Sequence, residues 1–327
     1  MKKKIIVTAF SNLTTDQRIE KVCKTLHDNG YVIELIGCNY GCNQEVKREY
    51  TVEKINLISK SLKTAYFEFN WKLYQKLLNK SFENTVLLTN DLDTLLPNFL
   101  LSKKKKIPLV FDSHEIFTEM PAIQGKISQK IWRFAENKML PHIEFMMTES
   151  ESYAKWFHEK YNVTPVVVRN IPKKLPLQEK TLTQNPKIIL YQGAINPSRG
   201  IDKAILAMKF IENANLIIVG DGPMRKKYEA FAVSNHLAHK VQFLGKKRPS
   251  ELRTITQKAN VGISLEENNG VSYYYSLPNK VADYIQARVP LVMINFPEMI
   301  KIKSKYNVGE VIADHHPETI ANAINNV

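Results

Sequence analysis

The segment Ile188-Ile189-Leu190-Tyr191-Gln192-Gly193-Ala194-Ile195-Asn196-Pro197-Ser198-Arg199-Gly200 opens a series of strand-and-loop units that decides the fold. Three further apolar runs lead into similar loops: Leu216–Val219 before Gly220-Asp221-Gly222-Pro223, Val241–Leu244 before Gly245, and Val261–Leu265 before Glu266-Glu267. Glycine after a strand lets the backbone approach a phosphate, and the next helix N-terminus presents N–H groups to the anion. Four such units in series predict a nucleotide-diphosphate site.

The rest of the chain also alternates short apolar runs with helix-like stretches. Such runs are typical of parallel strands buried on both faces, so we predict an α/β fold with doubly wound parallel sheets. A helix is predicted over Asp16–Asn29, with Thr15 as a possible N-cap. The other predicted strands are Ile5–Phe10, Val32–Cys38, Val86–Thr89, Leu109–Asp112, Phe145–Thr148, Val166–Arg169, Leu291–Phe296 and Glu310–Ile312.

The length of 327 residues fits two domains better than one. The stretch Ile171–Pro186 is rich in proline and lysine and has almost no periodicity, so we place a linker at residues 171–186. This assigns residues 1–170 to an N-terminal domain and residues 187–327 to a C-terminal one.

The net charge of +14 is compatible with nucleic acid, an anionic membrane surface or anionic substrates as partners. No nucleic-acid-binding motif is present, and we expect no nucleic-acid partner. No apolar run reaches the roughly 20 residues of a membrane span, and we interpret Ile5–Val7 as a first strand rather than a signal peptide. Cys23, Cys38 and Cys42 lack zinc spacing, which indicates inert thiols in the cytoplasm.

Several motifs, in their joint order, carry a resemblance to a known family. They are Asp16-Gln17-Arg18, Phe111-Asp112-Ser113-His114-Glu115, Val168-Arg169-Asn170, the four loops above, and Asp283 with Pro290 seven residues later. In these the chain resembles retaining glycosyltransferases of family 4 (glycosyl transferases group 1), which have the GT-B fold.

The resemblance implies two Rossmann-like domains facing a cleft, with the donor on the C-terminal domain and the acceptor on the N-terminal one. It implies transfer of a sugar from a nucleotide sugar to a glycan or lipid-linked acceptor, with retention and in surface polysaccharide synthesis. Neither a metal nor another cofactor is expected. The protein would be cytoplasmic, with peripheral attachment to the inner membrane face as an option.

On the donor side, Arg199 and Lys280 are the expected catalytic cations for the diphosphate. Relatives carry an arginine where this chain has Ala194; Lys280 is our candidate replacement, and Lys203 a weaker one. Asp283 matches the carboxylate that binds ribose, while Tyr275 stands where a partner carboxylate is expected, so Glu266 or Glu267 would supply the sugar contact. The donor-binding prediction comprises Gly193, Gly220, Gly222, Phe243, Leu244, Glu267, Pro278, Asn279 and Asp283.

On the acceptor side, the resemblance implies that His114 lies beside the transferred sugar. A structural histidine that caps its own loop is the alternative. Acceptor contacts are expected from Asn12, Thr14, Thr15 and Glu115.

Asp91-Leu92-Asp93 has the spacing of the metal motif found in the other glycosyltransferase fold. We interpret both aspartates as caps of the helix that begins here, because carboxylates accept from its N–H groups and suit its dipole.

Basic residues mixed with aromatics and leucines over Lys60–Lys80, and the cluster Lys103–Lys106, predict association with anionic membrane. A buried core stripe beside solvated lysines is the alternative. Two other functional classes stay open: a nucleotide-sugar epimerase and a non-catalytic nucleotide-sugar-binding subunit. Relatives usually continue past the helix at Pro317–Val327, so either the chain is cut short or the domains close differently.

Overall fold

The computed structural model describes residues 2–14, 16–40, 45–174, 176 and 185–327. The chain divides into two compact units, Met1–Arg169 and Asn170–Val327. Each unit contains one parallel sheet with helices between most of its consecutive strands, which confirms the predicted α/β class.

In the first unit, the described residues form a seven-stranded sheet in the order β3-β2-β1-β4-β5-β6-β7. The strands are β1 (Lys4–Thr8), β2 (Val32–Cys38), β3 (Thr51–Ile55), β4 (Thr85–Asn90), β5 (Leu109–Ser113), β6 (Phe145–Thr148) and β7 (Val166–Val167). The helices are α1 (Gln17–Asp28), α2 (Leu62–Leu78), α3 (Leu92–Lys105), α4 (Ile127–Met139) and α5 (Glu151–Tyr161), with 3-10 turns at Phe117–Glu119 and Leu140–His142.

In the second unit, the described residues form a six-stranded sheet in the order β10-β9-β8-β11-β12-β13. The strands are β8 (Lys187–Gln192), β9 (Ala214–Val219), β10 (Val241–Gly245), β11 (Val261–Ser264), β12 (Leu291–Ile294) and β13 (Gly309–Ile312). The helices are α6 (Ile201–Ala207), α7 (Arg225–Ser234), α8 (Pro249–Lys258), α9 (Val271–Tyr274), α10 (Asn279–Gln286), α11 (Pro297–Lys305) and α12 (Pro317–Asn326), with a 3-10 turn at Met208–Phe210.

Two local expectations differ from the structure. The N-cap of α1 is Asp16, whose carboxylate accepts from the backbone N–H of Ile19 at 3.1 Å, while Thr15 lies outside the described residues. The sequence analysis also missed β3, Thr51-Val-Glu-Lys-Ile55. This strand pairs with β2 at the edge of the sheet, so its half-polar composition lacks the apolar signature of a central strand.

Two glycines of the second unit allow close packing between loops. Gly220 has a φ of 146°, and a Cβ there would lie 1.8 Å from the carbonyl oxygen of Gly193. A Cβ on Gly200, at φ 66°, would lie 2.0 Å from the carbonyl oxygen of Leu265. Both glycines are required where the loops after β8, β9 and β11 approach one another.

Helix α2 covers most of the segment Lys60–Lys80. Its buried stripe is Ala65, Phe69, Leu73 and Leu77, at the i, i+4 spacing of a core-facing helix. For these residues the core interpretation is therefore the correct one. Phe67 and Trp71 lie on the exposed face.

Among the described residues, none of the helices has the length and apolar character needed to cross a bilayer. Cys23 and Cys38 are buried free thiols, and Cys42 falls outside the described residues. Burial raises the pKa of Cys23 to about 12 and that of Cys38 to about 11. Because the thiolate is the reactive form, both thiols are chemically quiet.

Candidate functional site

The two predicted donor-side cations lie together at the carboxyl edge of the second sheet. Arg199 stands just before Gly200, the N-cap of α6, and Lys280 lies in the first turn of α10. Both approach the carboxylate of Glu266, which lies two residues after the end of β11. Lys280 Nζ is 2.6 Å from Glu266 Oε1, and Arg199 Nη1 is 3.6 Å from the same oxygen.

Glu266 is the centre of this group and is fully buried. Its second oxygen, Oε2, accepts a hydrogen bond from Ser264 Oγ at 2.7 Å. Burial alone would raise the pKa of Glu266, but Lys280 and Arg199 outweigh it and hold the pKa below its ordinary value. The sequence analysis left the choice between Glu266 and Glu267 open, with Glu267 in the donor set. The structure brings Glu266 to the cations.

Aromatic rings support both cations. Lys280 Nζ lies 4.2 Å from the centroid of the Tyr191 ring, and the guanidinium of Arg199 lies 4.5 Å from that of Tyr273. A cation over an aromatic face is attracted by the ring quadrupole, most strongly where water is excluded. Neither tyrosine was among the predicted site residues.

Asp283 lies on α10 one turn after Lys280 and joins a separate polar chain. Gln192 Nε2 donates to Asp283 Oδ2 at 3.0 Å, and Thr256 Oγ1 donates to Gln192 Oε1 at 2.7 Å. The carboxylate is half-buried, and the Gln192 amide fixes its direction.

The remaining predicted donor residues also lie at this edge of the second unit. Gly193 directly follows β8, and Gly220 and Gly222 lie in the loop after β9. Phe243 and Leu244 lie in β10, whose Gly245 carbonyl accepts from the Gly220 N–H. Pro278 is the N-cap of α10, and Asn279 is the exposed first residue of this helix. Glu267 is half-buried, and its backbone N–H donates to the carbonyl of Ser198. Lys203 pairs with its neighbour Asp202 at 3.0 Å and is not part of the cation group.

His114 lies at the carboxyl edge of the first sheet, where acceptors surround its ring. Nδ1 is 3.2 Å from Asp91 Oδ2, while Nε2 is 3.2 Å from Asn90 Oδ1 and 3.4 Å from Asp112 Oδ2. Burial favours the neutral ring, but Asp91 and Asp112 prevail and raise the pKa of His114 to about 9. The ring is therefore an imidazolium at neutral pH and donates from both nitrogens.

Arg18 and Asp112, quoted above as family motifs without a site role, form a buried pair beneath His114. The Arg18 Nε and Nη2 atoms donate to the two Asp112 oxygens at 3.1 and 2.5 Å, and Nη1 donates to the Val168 carbonyl at 2.7 Å. This fork joins α1, β5 and the end of β7, and it fixes the strand end from which His114 projects.

The interpretation of Asp91 as a helix cap is wrong, because the side chain does not accept a hydrogen bond from the first turn of α3. Asp91 occupies the N-cap position of α3, but its side chain makes no cap hydrogen bond. Its carboxylate accepts instead from the His114 backbone N–H at 2.8 Å and faces the His114 ring. Asp93 is buried in the first turn of α3, and burial raises its pKa well above the ordinary value.

Glu149 is a neighbouring carboxyl group that the sequence analysis missed. It follows β6 directly, within electrostatic range of Arg18, Glu115 and His114, and burial raises its pKa to about 8. Its place immediately after a predicted strand was the available signal, because ligand groups of α/β sheets gather at strand carboxyl ends.

The other predicted acceptor-side residues contribute less to this group. Asn12 Oδ1 accepts from the N–H and the hydroxyl of Thr14, at 3.1 and 2.6 Å. Glu115 is exposed, and Thr15 is outside the described residues.

One set of side chains in the described part of the chain is close enough to share a metal ion: His27, Asp28 and Glu49 on the surface. Lys24 already forms ion pairs there, at 3.2 Å to Asp28 and 3.0 Å to Glu49, so its ammonium occupies the place of a cation.

Residues 174–327 match the family model described as glycosyl transferases group 1. An uncharacterized glycosyltransferase of Methanocaldococcus jannaschii is 38% identical over 71 residues, which are 22% of this chain and 20% of that protein. The matched segment thus spans one fifth of the length of that relative.

Solved structures match over nearly the whole chain at low identity. Sucrose-phosphate synthase from Thermosynechococcus elongatus has a TM-score of 0.79 at 15% identity, over 99% of this chain and 89% of its own. Anabaena HepE in complex with UDP-glucose has a TM-score of 0.73 at 14% identity, over the same shares. These likenesses establish the fold and confirm the predicted GT-B class.

We predict that His114 titrates near pH 9 and that Asp91→Asn lowers its pKa toward the ordinary value, because one of the two carboxylates that favour the charged ring is removed. Because the pKa of His114 is higher in the folded protein than in the unfolded chain, protonation of this ring contributes its full stabilisation below about pH 6.5. This contribution is lost as the pH rises through about 9. The stability advantage of the wild type over Asp91→Asn should therefore decline across this window. NMR titration of the imidazole and urea unfolding at several pH values measure both effects.

The exposed Asp28→Asn change beside His27 is the control and should leave the His114 titration unchanged. A His114 ring that titrates at the same pH in wild type and Asp91→Asn would contradict the assignment.

Proposed function

We propose that the protein transfers a sugar from a nucleotide-diphosphate sugar to an acceptor hydroxyl, because residues 174–327 match the family model of glycosyl transferases group 1 and the chain has the GT-B fold. The observation that carries the proposal is the convergence of Arg199 and Lys280 at the carboxyl edge of the matched domain. The structural neighbour HepE was solved with UDP-glucose, a donor of this chemical class.

The chemistry follows from the charges. Cleavage of a glycosyl–phosphate bond leaves negative charge on the diphosphate, and cations already in position stabilise that charge without reorganisation. We assign this role to Arg199 and Lys280, and we assign the ribose hydroxyls to Asp283. In the first unit, His114 is a fixed positive charge and hydrogen-bond donor beside the acceptor. We further propose that the anomeric configuration is retained and that the acceptor is a glycan or a lipid-linked glycan of surface polysaccharide synthesis.

We predict that Arg199→Ala weakens binding of a nucleoside diphosphate by about 1.5–3 kcal/mol, the usual contribution of a charge-assisted contact. Lys280→Ala should do the same. Calorimetric titration with UDP, GDP, ADP and dTDP in turn measures this loss. The matched control is Arg248→Ala, an exposed arginine of the same unit, which should bind like the wild type. Unchanged affinity in both Arg199→Ala and Lys280→Ala would refute the assignment.

We predict turnover without a divalent metal, because fixed side-chain cations neutralise the leaving group. Release of nucleoside diphosphate from the matching sugar donor should continue at the same rate in excess chelator. Loss of activity with EDTA and recovery with manganese would overturn the metal-free mechanism. Donor binding without any release or transfer would instead identify a non-catalytic binding subunit.

We also propose that the first unit docks on anionic membrane through an exposed basic apolar face on α2 and α4. On α4 the side chains of Ile127, Ile131 and Phe134 are 77%, 62% and 66% exposed, and their spacing places them on one side of the helix. Phe67 and Trp71 of α2 are exposed as well, and the rings of Tyr66 and Trp132 join the two helices at 5.5 Å. Lysines on or directly before these helices include Lys63, Lys126, Lys130 and Lys138.

Apolar side chains that enter a headgroup layer, flanked by lysines, suit an anionic lipid surface. We predict that Ile131→Ser with Phe134→Ser lowers co-sedimentation with vesicles that contain phosphatidylglycerol, and that salt lowers wild-type binding by screening. Val233→Ser in the second unit, a 63% exposed valine, is the control. Equal, negligible pelleting of the wild type with neutral and anionic vesicles at low salt would refute membrane docking.

A further inference from the structure

The carboxylate of Glu266 has a defined partner at each oxygen. Oε2 accepts from Ser264 Oγ at 2.7 Å, and this contact directs Oε1 toward the cations. Oε1 is 2.6 Å from Lys280 Nζ and 3.6 Å from Arg199 Nη1. One oxygen atom thus lies within ion-pair distance of both candidate diphosphate cations.

Lys280 depends on this oxygen more than Arg199 does. Its side chain is 7% exposed, so water supplies little solvation, and its ammonium has three N–H donors to satisfy. Within the described residues, Glu266 is the ion-pair partner of Lys280, and the Tyr191 ring adds a weaker attraction from 4.2 Å. Arg199 is more exposed, and a guanidinium keeps its proton in any surroundings.

We propose that Glu266 is a positioning residue of the donor site, which holds Lys280 as a cation beside Arg199 so that both face the diphosphate of a nucleotide sugar. This inference rests on the proposed function and assigns a role to a carboxylate that does not itself contact the anion. The pair of cations with one carboxylate carries a net charge of +1, which still attracts a diphosphate.

The groups around Lys280 fix the sign of the expected pH effect. Burial and the charge of Arg199 lower the pKa of Lys280, while Glu266 raises it. The resulting pKa of Lys280 lies below its ordinary value. Tyr191 from β8 is neutral, because burial raises its pKa. Tyr273 from α9 faces Arg199 rather than Lys280. Without the charge on Glu266, only burial and Arg199 act on the pKa of Lys280, and both lower it. Lys280 should therefore lose its proton as the pH rises.

The test is the affinity of Glu266→Gln for UDP, GDP, ADP and dTDP at pH 6.0 and at pH 8.5, each relative to wild type at the same pH. We expect a loss of about ten- to hundredfold at pH 8.5, the size of one charge-assisted contact. Much of this loss should disappear at pH 6.0, where Lys280 regains its proton. Glu266→Asp, which keeps the charge, should show a smaller pH dependence than Glu266→Gln.

Two further variants separate this role from a structural one. In Lys280→Arg the cation cannot lose its proton, so adding Glu266→Gln should produce a loss that is the same at both pH values. Glu251→Gln, an exposed carboxylate change on α8, should bind like the wild type.

An equal loss in Glu266→Gln at both pH values, or none, overturns the inference. If Glu266→Gln does not fold, the Glu266→Asp and Lys280→Arg variants still test the inference. A pH-dependent loss of nucleotide affinity in Glu266→Asp that persists when Lys280→Arg is added also overturns the inference. If the wild type binds none of the four nucleotides, the proposed function itself is overturned. If the wild type binds but the affinity loss in Glu266→Gln does not depend on pH, only the role of Glu266 is overturned.

Discussion

A carboxyl group that stays ionised when buried needs a compensating cation beside it, and this requirement organises both candidate sites. Asp112 in the first unit and Glu266 in the second are both fully buried. Leaving either one unpaired in a low-dielectric interior would cost several kcal/mol. Asp112 takes the fork of Arg18 together with the ring of His114, and Glu266 takes Lys280 together with Arg199. Each carboxylate thereby fixes two cations at the end of a parallel strand.

Sheet geometry explains why these groups meet although they are distant in sequence. All strands of a parallel sheet end at the same edge, so loops from separate βα units become neighbours there. In the second unit the loop after β8 supplies Arg199, the end of β11 supplies Glu266, and α10 supplies Lys280. Gly200 then permits direct contact between the first two loops, because any side chain on it would strike the Leu265 carbonyl.

The sequence was sufficient for most strands and for the loops that carry the donor-side cations, because buried parallel strands have an apolar signature that glycines interrupt. It was insufficient for contacts that depend on how loops fold back. Asp91 occupies the helix N-cap position that its sequence suggests, yet it binds His114, because a φ of 57° turns its side chain away from the helix. The choice between Glu266 and Glu267 likewise depends on which side chain the end of β11 directs inward, and no local pattern in the sequence determines that direction.

The two sites differ in the balance of their charges, and this difference bears on what each one binds. In the first unit, Asp91 and Asp112 offset His114 and Arg18, so a phosphate there would meet carboxylates as well as cations. In the second unit two cations face a single carboxylate. Under the proposed function, this balance would attract a diphosphate more strongly to the second unit, whereas the first unit would offer both donors and acceptors to an uncharged hydroxyl group. This asymmetry is what a transferase needs if its donor is strongly anionic and its acceptor reacts through a neutral alcohol.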